Sequence, residues 1–160
     1  MSRPIKVIAI ASAGGHWVQL MRLYRAWQGL DVTYVTTDPG IAPVLCDLCR
    51  ERGEPAPKLW IIQEGNRWQK RKLVKQLLQL IFIMVWLRPD AVITTGAAPG
   101  YFALRLGKMV GARTIWIDSI ANAEEMSLSG QKIRKYADLW LTQWPHLAKP
   151  GGPAYLGSVV

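Results

Sequence analysis

The segment Ser12-Ala13-Gly14-Gly15-His16 sets two glycines and a histidine between a run of β-formers and a helix whose apolar spacing is Trp17, Leu20, Leu23 and Tyr24. Glycines let the backbone approach a ligand closely, and free N–H groups at a helix start bind phosphate oxygens. His16, at the helix entrance, can donate to a phosphate or take a proton as a base. A second glycine loop, Thr94-Thr95-Gly96-Ala97-Ala98-Pro99-Gly100, also precedes a helix, and two such loops on neighbouring strands would clamp a diphosphate from both sides. Asp118-Ser119, with Asn122, Glu124 and Glu125 after them, supply hydrogen bonds for sugar hydroxyls or a carboxylate base. The plainer readings are tight strand-to-helix turns, a structural histidine and solvated loop acids. The full G-x-G-x-x-G is missing and the acidic residue after the second strand is weakly placed, which disfavours a dinucleotide dehydrogenase.

The elements that must position these loops alternate. β-rich runs IKVIAIA, DVTYVTT, KLWIIQ, AVITTG, RTIWIDS, LWLTQW and AYLGSVV are separated by helical stretches near 16–28, 41–52, 67–88, 100–110 and 131–136. The runs lack strict alternation, as in strands buried on both faces. Repeated βα units predict a mostly parallel sheet with right-handed crossovers, an α/β Rossmann-like doubly wound domain whose ligands gather at the carboxyl ends of the strands. The loops that matter are then 12–16, 36–40, 63–66, 95–100 and 119–129. One domain spans 1–160, and 149–160, which opens with the Gly/Pro-rich KPGGP, forms a C-terminal tail.

Charge narrows the partners. Twenty Lys and Arg against 11 Asp and Glu leave +9, and half the residues are hydrophobic, enough for a real core. Six basic residues, Arg67, Lys70, Arg71, Lys72, Lys75 and Arg88, fall between Gly65 and Pro89 with no acid among them. If continuous, the helix 66–88 is about 34 Å long at 1.5 Å per residue. Its basic first half contains Trp68, and its apolar second half contains Phe82 and Trp86, so polarity changes along the axis more than around it. Such a helix dips one end into a membrane interface while its cations meet anionic headgroups, or buries its second half on the sheet. The apolar run 77–87 falls short of the roughly 20 residues that cross a bilayer, and the apolar stretch at the N-terminus is too short for a secretory signal, so a cytosolic, peripheral protein is expected. Cys46 and Cys49 form C-x-x-C inside a predicted helix with no second pair, which reads as two reduced cysteines and no metal site. No nucleic-acid-binding pattern accompanies the charge.

Taken in order, SAGGH, TTGAAPG, Trp116-Ile117-Asp118-Ser119-Ile120-Ala121, Ser127-Leu128-Ser129-Gly130, Gln143-Trp144-Pro145 and Tyr155-Leu156-Gly157 resemble one family over nearly the whole chain. It is the acceptor-side subunit of the split glycosyltransferase that adds the second N-acetylglucosamine to dolichol diphosphate N-acetylglucosamine, with its bacterial PssD- and CpsF-type relatives in polysaccharide synthesis. The resemblance implies the N-terminal half of a GT-B glycosyltransferase, similar to the amino-terminal domain of MurG. Such a half binds a polyprenyl-diphosphate-linked sugar at the membrane and is completed by a nucleotide-sugar-binding partner chain, and the length matches one half of a GT-B enzyme. Carried across, it places Ser12, Gly14, Gly15, His16, Thr95, Gly96, Pro99, Gly100, Ser119 and Asn122 at the acceptor, with His16 or Asp118 as catalytic residue and Glu124 as a further rival. Asn122 stands where an Arg is common in the family. The resemblance puts Arg67, Trp68, Lys70, Arg71, Lys72, Lys75, Phe82 and Trp86 at an anionic membrane surface, the cytoplasmic face of the inner membrane. The apolar tail residues Tyr155, Leu156, Val159 and Val160 are assigned to the partner, and no cofactor is implied. Rival expectations are a non-catalytic membrane scaffold for the partner and a soluble nucleotide-binding Rossmann enzyme.

Overall fold

The computed structural model describes residues 3–65 and 68–159. Strands β1 (Lys6–Ile10), β2 (Asp31–Thr36), β3 (Lys58–Ile61), β4 (Ala91–Thr94), β5 (Arg113–Ile117), β6 (Leu139–Thr142) and β7 (Ala154–Tyr155) form one sheet in the order β3-β2-β1-β4-β5-β6-β7. Every pairing is parallel. Helices α1 (Gly15–Arg22), α2 (Ile41–Glu51), α3 (Lys70–Leu87), α4 (Ala97–Met109) and α5 (Leu128–Ile133) make the successive crossovers.

Both faces of the sheet are covered, which is why its strands read as unbroken apolar runs. Ile8, Ile10, Val35, Val92 and Trp116 pack with Leu80, Ile83, Met84 and Leu104 of α3 and α4. On the other face Val7, Ala9, Ala11 and Tyr34 pack with Trp17 and Leu20 of α1 and Leu45 and Cys49 of α2. This is the expected doubly wound α/β fold.

Several boundaries differ from the sequence reading, each for a local reason. α1 stops at Arg22, and Tyr24–Trp27 is a 3₁₀ turn that buries Trp27, whose Nε1–H donates to the Tyr34 hydroxyl at 3.2 Å. α4 starts at Ala97, ahead of the expected 100, because Pro99 sits in the first turn, where a missing N–H costs nothing. α5 starts early as well, capped by Ser127, whose Oγ accepts from the Gly130 N–H. The last strand is only Ala154–Tyr155, and the rest of the tail leaves the sheet. Trp116 is fully buried as expected for a strand tryptophan, whereas Trp60 and Trp140 are only partly covered. Cys46 is exposed and Cys49 buried on α2, both free, and burial pushes the Cys49 thiol upward.

The basic and apolar helix needs the largest correction. α3 runs 18 residues, Lys70–Leu87, and Asn66 and Arg67 lie outside the described residues. Its polarity changes around the axis as well as along it, in an unusual sense. Gln76, Leu80, Ile83 and Met84 face the sheet, while Val74, Leu78, Ile81, Phe82, Val85 and Trp86 form an exposed apolar stripe. Among the described residues no helix is long and apolar enough to cross a membrane.

Candidate functional site

β1 pairs with β2 on one side and β4 on the other, and the helices that follow β1 and β4 leave for opposite faces. A crevice therefore opens at their carboxyl ends, the place where doubly wound sheets collect ligands. The two glycine loops predicted to act together meet there.

His16 lies in the first turn of α1, and its Nδ1 is 2.9 Å from the carbonyl oxygen of Thr95. A carbonyl only accepts, so Nδ1 carries the proton and Nε2 of the neutral ring keeps its lone pair. The contact is reciprocal, since the Thr95 hydroxyl donates to the His16 carbonyl at 2.6 Å. Thr95 is fully buried, which makes it the support of the histidine and not a surface contact for a ligand. Gly96 follows at φ +124°, and Ala97, a residue with a Cβ, also holds a positive φ of 63°. Strain of this kind concentrates at functional sites and costs about 1–3 kcal/mol per residue.

Neither α1 nor α4 has a side-chain cap, whereas α5 does. The first N–H groups of α1 and α4, like those of α2 and α3, thus have no N-cap side-chain acceptor, and those of α1 and α4 open at the crevice with the positive ends of both helix dipoles behind them. Ser12 and Gly14 lie on the loop that enters α1 and Gly15 is its first residue, all three outside the wall of the cavity described below. Pro99 and Gly100 do not line that cavity either. Both are buried, and a Cβ on Gly100 would lie 2.1 Å from the Thr94 Oγ1, so this glycine lets α4 approach β4.

The cavity itself measures about 450 Å³ and is walled by His16, Ala97, Ser119, Asn122, Glu125 and the 126–129 segment. Asp118, expected as a rival base, is placed otherwise. It is 2% exposed, and its carboxylate accepts from Trp116 Nε1 (3.1 Å), the Ser127 hydroxyl (2.6 Å), the Ser127 N–H (2.8 Å) and Asn122 Nδ2 (3.2 Å). Those four donors occupy both oxygens and fold the 119–127 loop around them. Glu125 reaches the cavity wall, whereas Glu124 does not.

Two residues beneath the site were given no role in the sequence reading. Gln19 is buried, its amide donating to Ser119 Oγ at 3.1 Å and its carbonyl accepting from the Ile120 N–H at 3.0 Å and Gln143 Nε2 at 2.7 Å. Gln143 also donates to the Asp118 carbonyl at 2.9 Å and accepts from the Val159 N–H at 2.9 Å. The available signal was a glutamine between Trp17 and Leu20, on the buried side of an amphipathic helix. Among the described residues no cluster of His, Cys, Asp and Glu is arranged for a metal ion.

The expected membrane residues from Trp68 to Trp86 lie on or beside α3. Trp68, Lys70, Arg71, Lys72, Lys75, Phe82 and Trp86 are all exposed, with Trp86 stacked on Phe82 at 6.0 Å between ring centres. The ion pairs of the described residues engage Arg3, Arg50, Lys58 and Lys108, which leaves the cations that open α3 without carboxylate partners. In the tail, Tyr155 and Leu156 are exposed. Val159 is instead tied inward, by Gln143 and by Arg22, whose guanidinium donates to its carbonyl at 3.0 Å, and Val160 lies outside the described residues.

Residues 68–158 match a family described as oligosaccharide biosynthesis protein Alg14 like. The chain is similar to the UDP-N-acetylglucosamine transferase subunit alg14 of Schizosaccharomyces pombe, 34% identical over 79 residues that cover 44% of this chain and 37% of that protein. It is also similar to the subunit ALG14 of Mus musculus, 25% identical over 184 residues that cover 98% of this chain and 83% of the mouse protein. The match thus spans little more than a third of the fission-yeast relative. Among solved structures the fold is shared with MurG of Acinetobacter baumannii, at a TM-score of 0.73 and 16% identity, covering 98% of this chain and 46% of that one. The UDP-GlcNAc 2-epimerase of Methanocaldococcus jannaschii shares it at a TM-score of 0.63 and 13% identity, covering 86% and 39%.

Proposed function

The chain belongs to the Alg14 family of oligosaccharide-biosynthesis proteins, and from that premise we propose that it is the acceptor-binding subunit of an inverting glycosyltransferase completed by a second, nucleotide-sugar-binding chain. The acceptor is a polyprenyl-diphosphate-linked sugar, and the donor a UDP-sugar. The names of the fission-yeast and mouse relatives, UDP-N-acetylglucosamine transferase subunits, support the donor class. The setting is the cytoplasmic face of a membrane, held through the outer stripe of α3 and its basic start.

The observation that carries this reading is the fixed tautomer of His16. With Nδ1–H held by the Thr95 carbonyl, Nε2 is the free proton acceptor in the wall of the cavity. The acceptor hydroxyl gives its proton to Nε2 as its oxygen attacks the anomeric carbon, and the nucleoside diphosphate leaves from the opposite face. The uncapped starts of α1 and α4 hold the acceptor's diphosphate and orient that hydroxyl. Ser119 and Asn122 lie in the same wall and bind the acceptor sugar.

The test is reconstitution. Co-expression with a nucleotide-sugar-binding partner should yield transfer from UDP-N-acetylglucosamine to a polyprenyl-diphosphate-linked sugar, and this chain alone should yield none. Tight nucleotide-sugar binding by the isolated chain, or equal turnover by the partner alone on a detergent-soluble acceptor, would count against the proposal.

A further inference from the structure

Beside the outer stripe of α3 a second cavity, of about 290 Å³, opens between that helix and the edge strand β3. Trp60, Ile61 and Ile62 line it from the strand side, and Leu78, Phe82 and Ile83 from the helix. The rings of Trp60 and Phe82 stand 6.0 Å apart, tilted by 58°. Two glutamine bonds set the spacing of strand and helix above it: the Gln63 N–H donates to Gln79 Oε1 at 2.7 Å, and Gln76 Nε2 donates to the Gln63 carbonyl at 2.8 Å. The polar side chains in the lining are Gln79 and Lys75, and Lys75 has no carboxylate partner among the described residues.

Size, lining and direction together choose the occupant. The volume falls just below the roughly 300–1,000 Å³ that encloses a whole drug-sized ligand, so the cavity suits one short hydrocarbon segment whose remainder lies elsewhere. Flat, methyl-branched alkene units pack well on the two ring faces. α3 follows the carboxyl end of β3 and runs back to the start of the parallel strand β4, so Lys70, Arg71, Lys72 and Lys75 stand at the sheet's carboxyl edge, the edge that also carries His16 and Thr95. Only β2 separates β3 from β1, which is about 10 Å at roughly 4.8 Å per strand. A bilayer acyl chain has no need of that alignment, whereas a prenyl chain bonded to a diphosphate that must reach His16 does.

Resting on the acceptor-subunit reading above, we infer that this cavity seats the isoprene units nearest the diphosphate of the acceptor lipid, with Lys75 at its mouth toward the phosphates. The site measures the identity of the lipid and not merely its presence; it shares Leu78 and Phe82 with the stripe that meets the bilayer and extends inward from them toward β3.

Leu78→Trp and Val85→Asn pull the two functions apart. Leu78 is exposed, so a tryptophan there fills the cavity without burying new bulk in the core and keeps the outer face apolar. Leu78→Trp should weaken binding of farnesyl phosphate to the purified chain at least tenfold without weakening its binding to phosphatidylglycerol vesicles, because tryptophan is at home at a bilayer interface. Val85→Asn, on the stripe outside the cavity, should do the reverse. Wild-type affinity of Leu78→Trp for farnesyl phosphate would overturn the inference, and so would displacement of farnesyl phosphate by an equal concentration of dioctanoyl phosphatidylglycerol, which would make the cavity an acyl-chain seat. Transfer to a sugar diphosphate bearing a methyl group in place of the prenyl chain reads the catalytic proposal separately. Wild type and Leu78→Trp should be equal on it. A deficit of Leu78→Trp there overturns the cavity assignment, because no tail is present to be displaced. No transfer by either chain faults the acceptor-subunit reading on which the inference rests.

Discussion

A Cβ built on Gly96 would lie 2.9 Å from Cε1 of His16, closer than real side chains approach. The glycine therefore does two things at once: it permits φ +124° and leaves room for the imidazole. Gly96→Ala should push the ring out of line with the acceptor, and a misplacement on the order of 1 Å costs about a hundredfold in rate. The check is kcat in the reconstituted pair, with circular dichroism to show that the fold survives.

His16→Ala should lower transfer by about 10²- to 10⁴-fold, the usual contribution of a general base, and leave assembly with the partner chain intact. Thr95→Val removes the hydroxyl that holds the His16 backbone yet keeps the carbonyl that fixes the tautomer, so its loss should be smaller. Near-normal turnover of His16→Ala would remove this histidine from the mechanism.

Asp118→Asn separates a structural carboxylate from a catalytic one. The amide keeps only one oxygen, and each carboxylate oxygen accepts from two donors, so two of the four donors lose their acceptor, at a cost of about 1–3 kcal/mol for each buried group left unsatisfied. The melting temperature should fall, and turnover measured below the transition should stay within about a factor of ten of wild type, well inside the 10²–10⁴ that loss of a base produces. Turnover abolished in a folded variant would restore Asp118 as a catalytic residue.

Replacing Lys70, Arg71, Lys72 and Lys75 together by Gln should weaken binding to phosphatidylglycerol vesicles by roughly three orders of magnitude at low salt, at about 1 kcal/mol per basic residue. The deficit should shrink as ionic strength rises. Phe82→Ser with Trp86→Ser should weaken binding to neutral and anionic vesicles alike. Co-sedimentation across a salt series distinguishes the two patterns.

Acid should destabilise the fold through two strand-edge carboxylates. The Lys6 backbone N–H, aided by the Arg3 guanidinium, holds the Asp90 carboxyl below its ordinary range, and the Lys108 ammonium with Thr114 does the same for Asp138. A depressed carboxylate contributes its full stability above the unfolded value of about 3.9 and loses it as pH falls through the lower folded value. The melting temperature should therefore drop below about pH 4. Asp138→Asn should lower it at neutral pH and flatten the acid limb.

Legibility in the sequence followed the range of the interactions. The strand ending in Gly-Gly-His and the loop after β4 were readable because turn chemistry is local, and the doubly wound order followed from repeated βα units. The ties of Asp118 were not legible, because a loop acid held by Trp116 and Ser127 has the same spelling as a solvated one. Gln19 and Gln143 meet across 124 positions, and no local pattern announces such a pair. The faces of α3 were hidden for a different reason. Leu80, Ile83 and Met84 inside and Leu78, Phe82 and Trp86 outside are equally apolar, so periodicity vanishes and packing alone decides which stripe is covered.

The 79 positions between His16 and Thr95 also set an order of events during synthesis. Chains emerge amino-terminus first, so α3 with its greasy outer stripe is complete before β4 exists to support the histidine. If the chain acts as proposed, a nascent copy presents its outer apolar stripe while the His16 cavity is still missing a wall, and reaches the bilayer before it is competent to react.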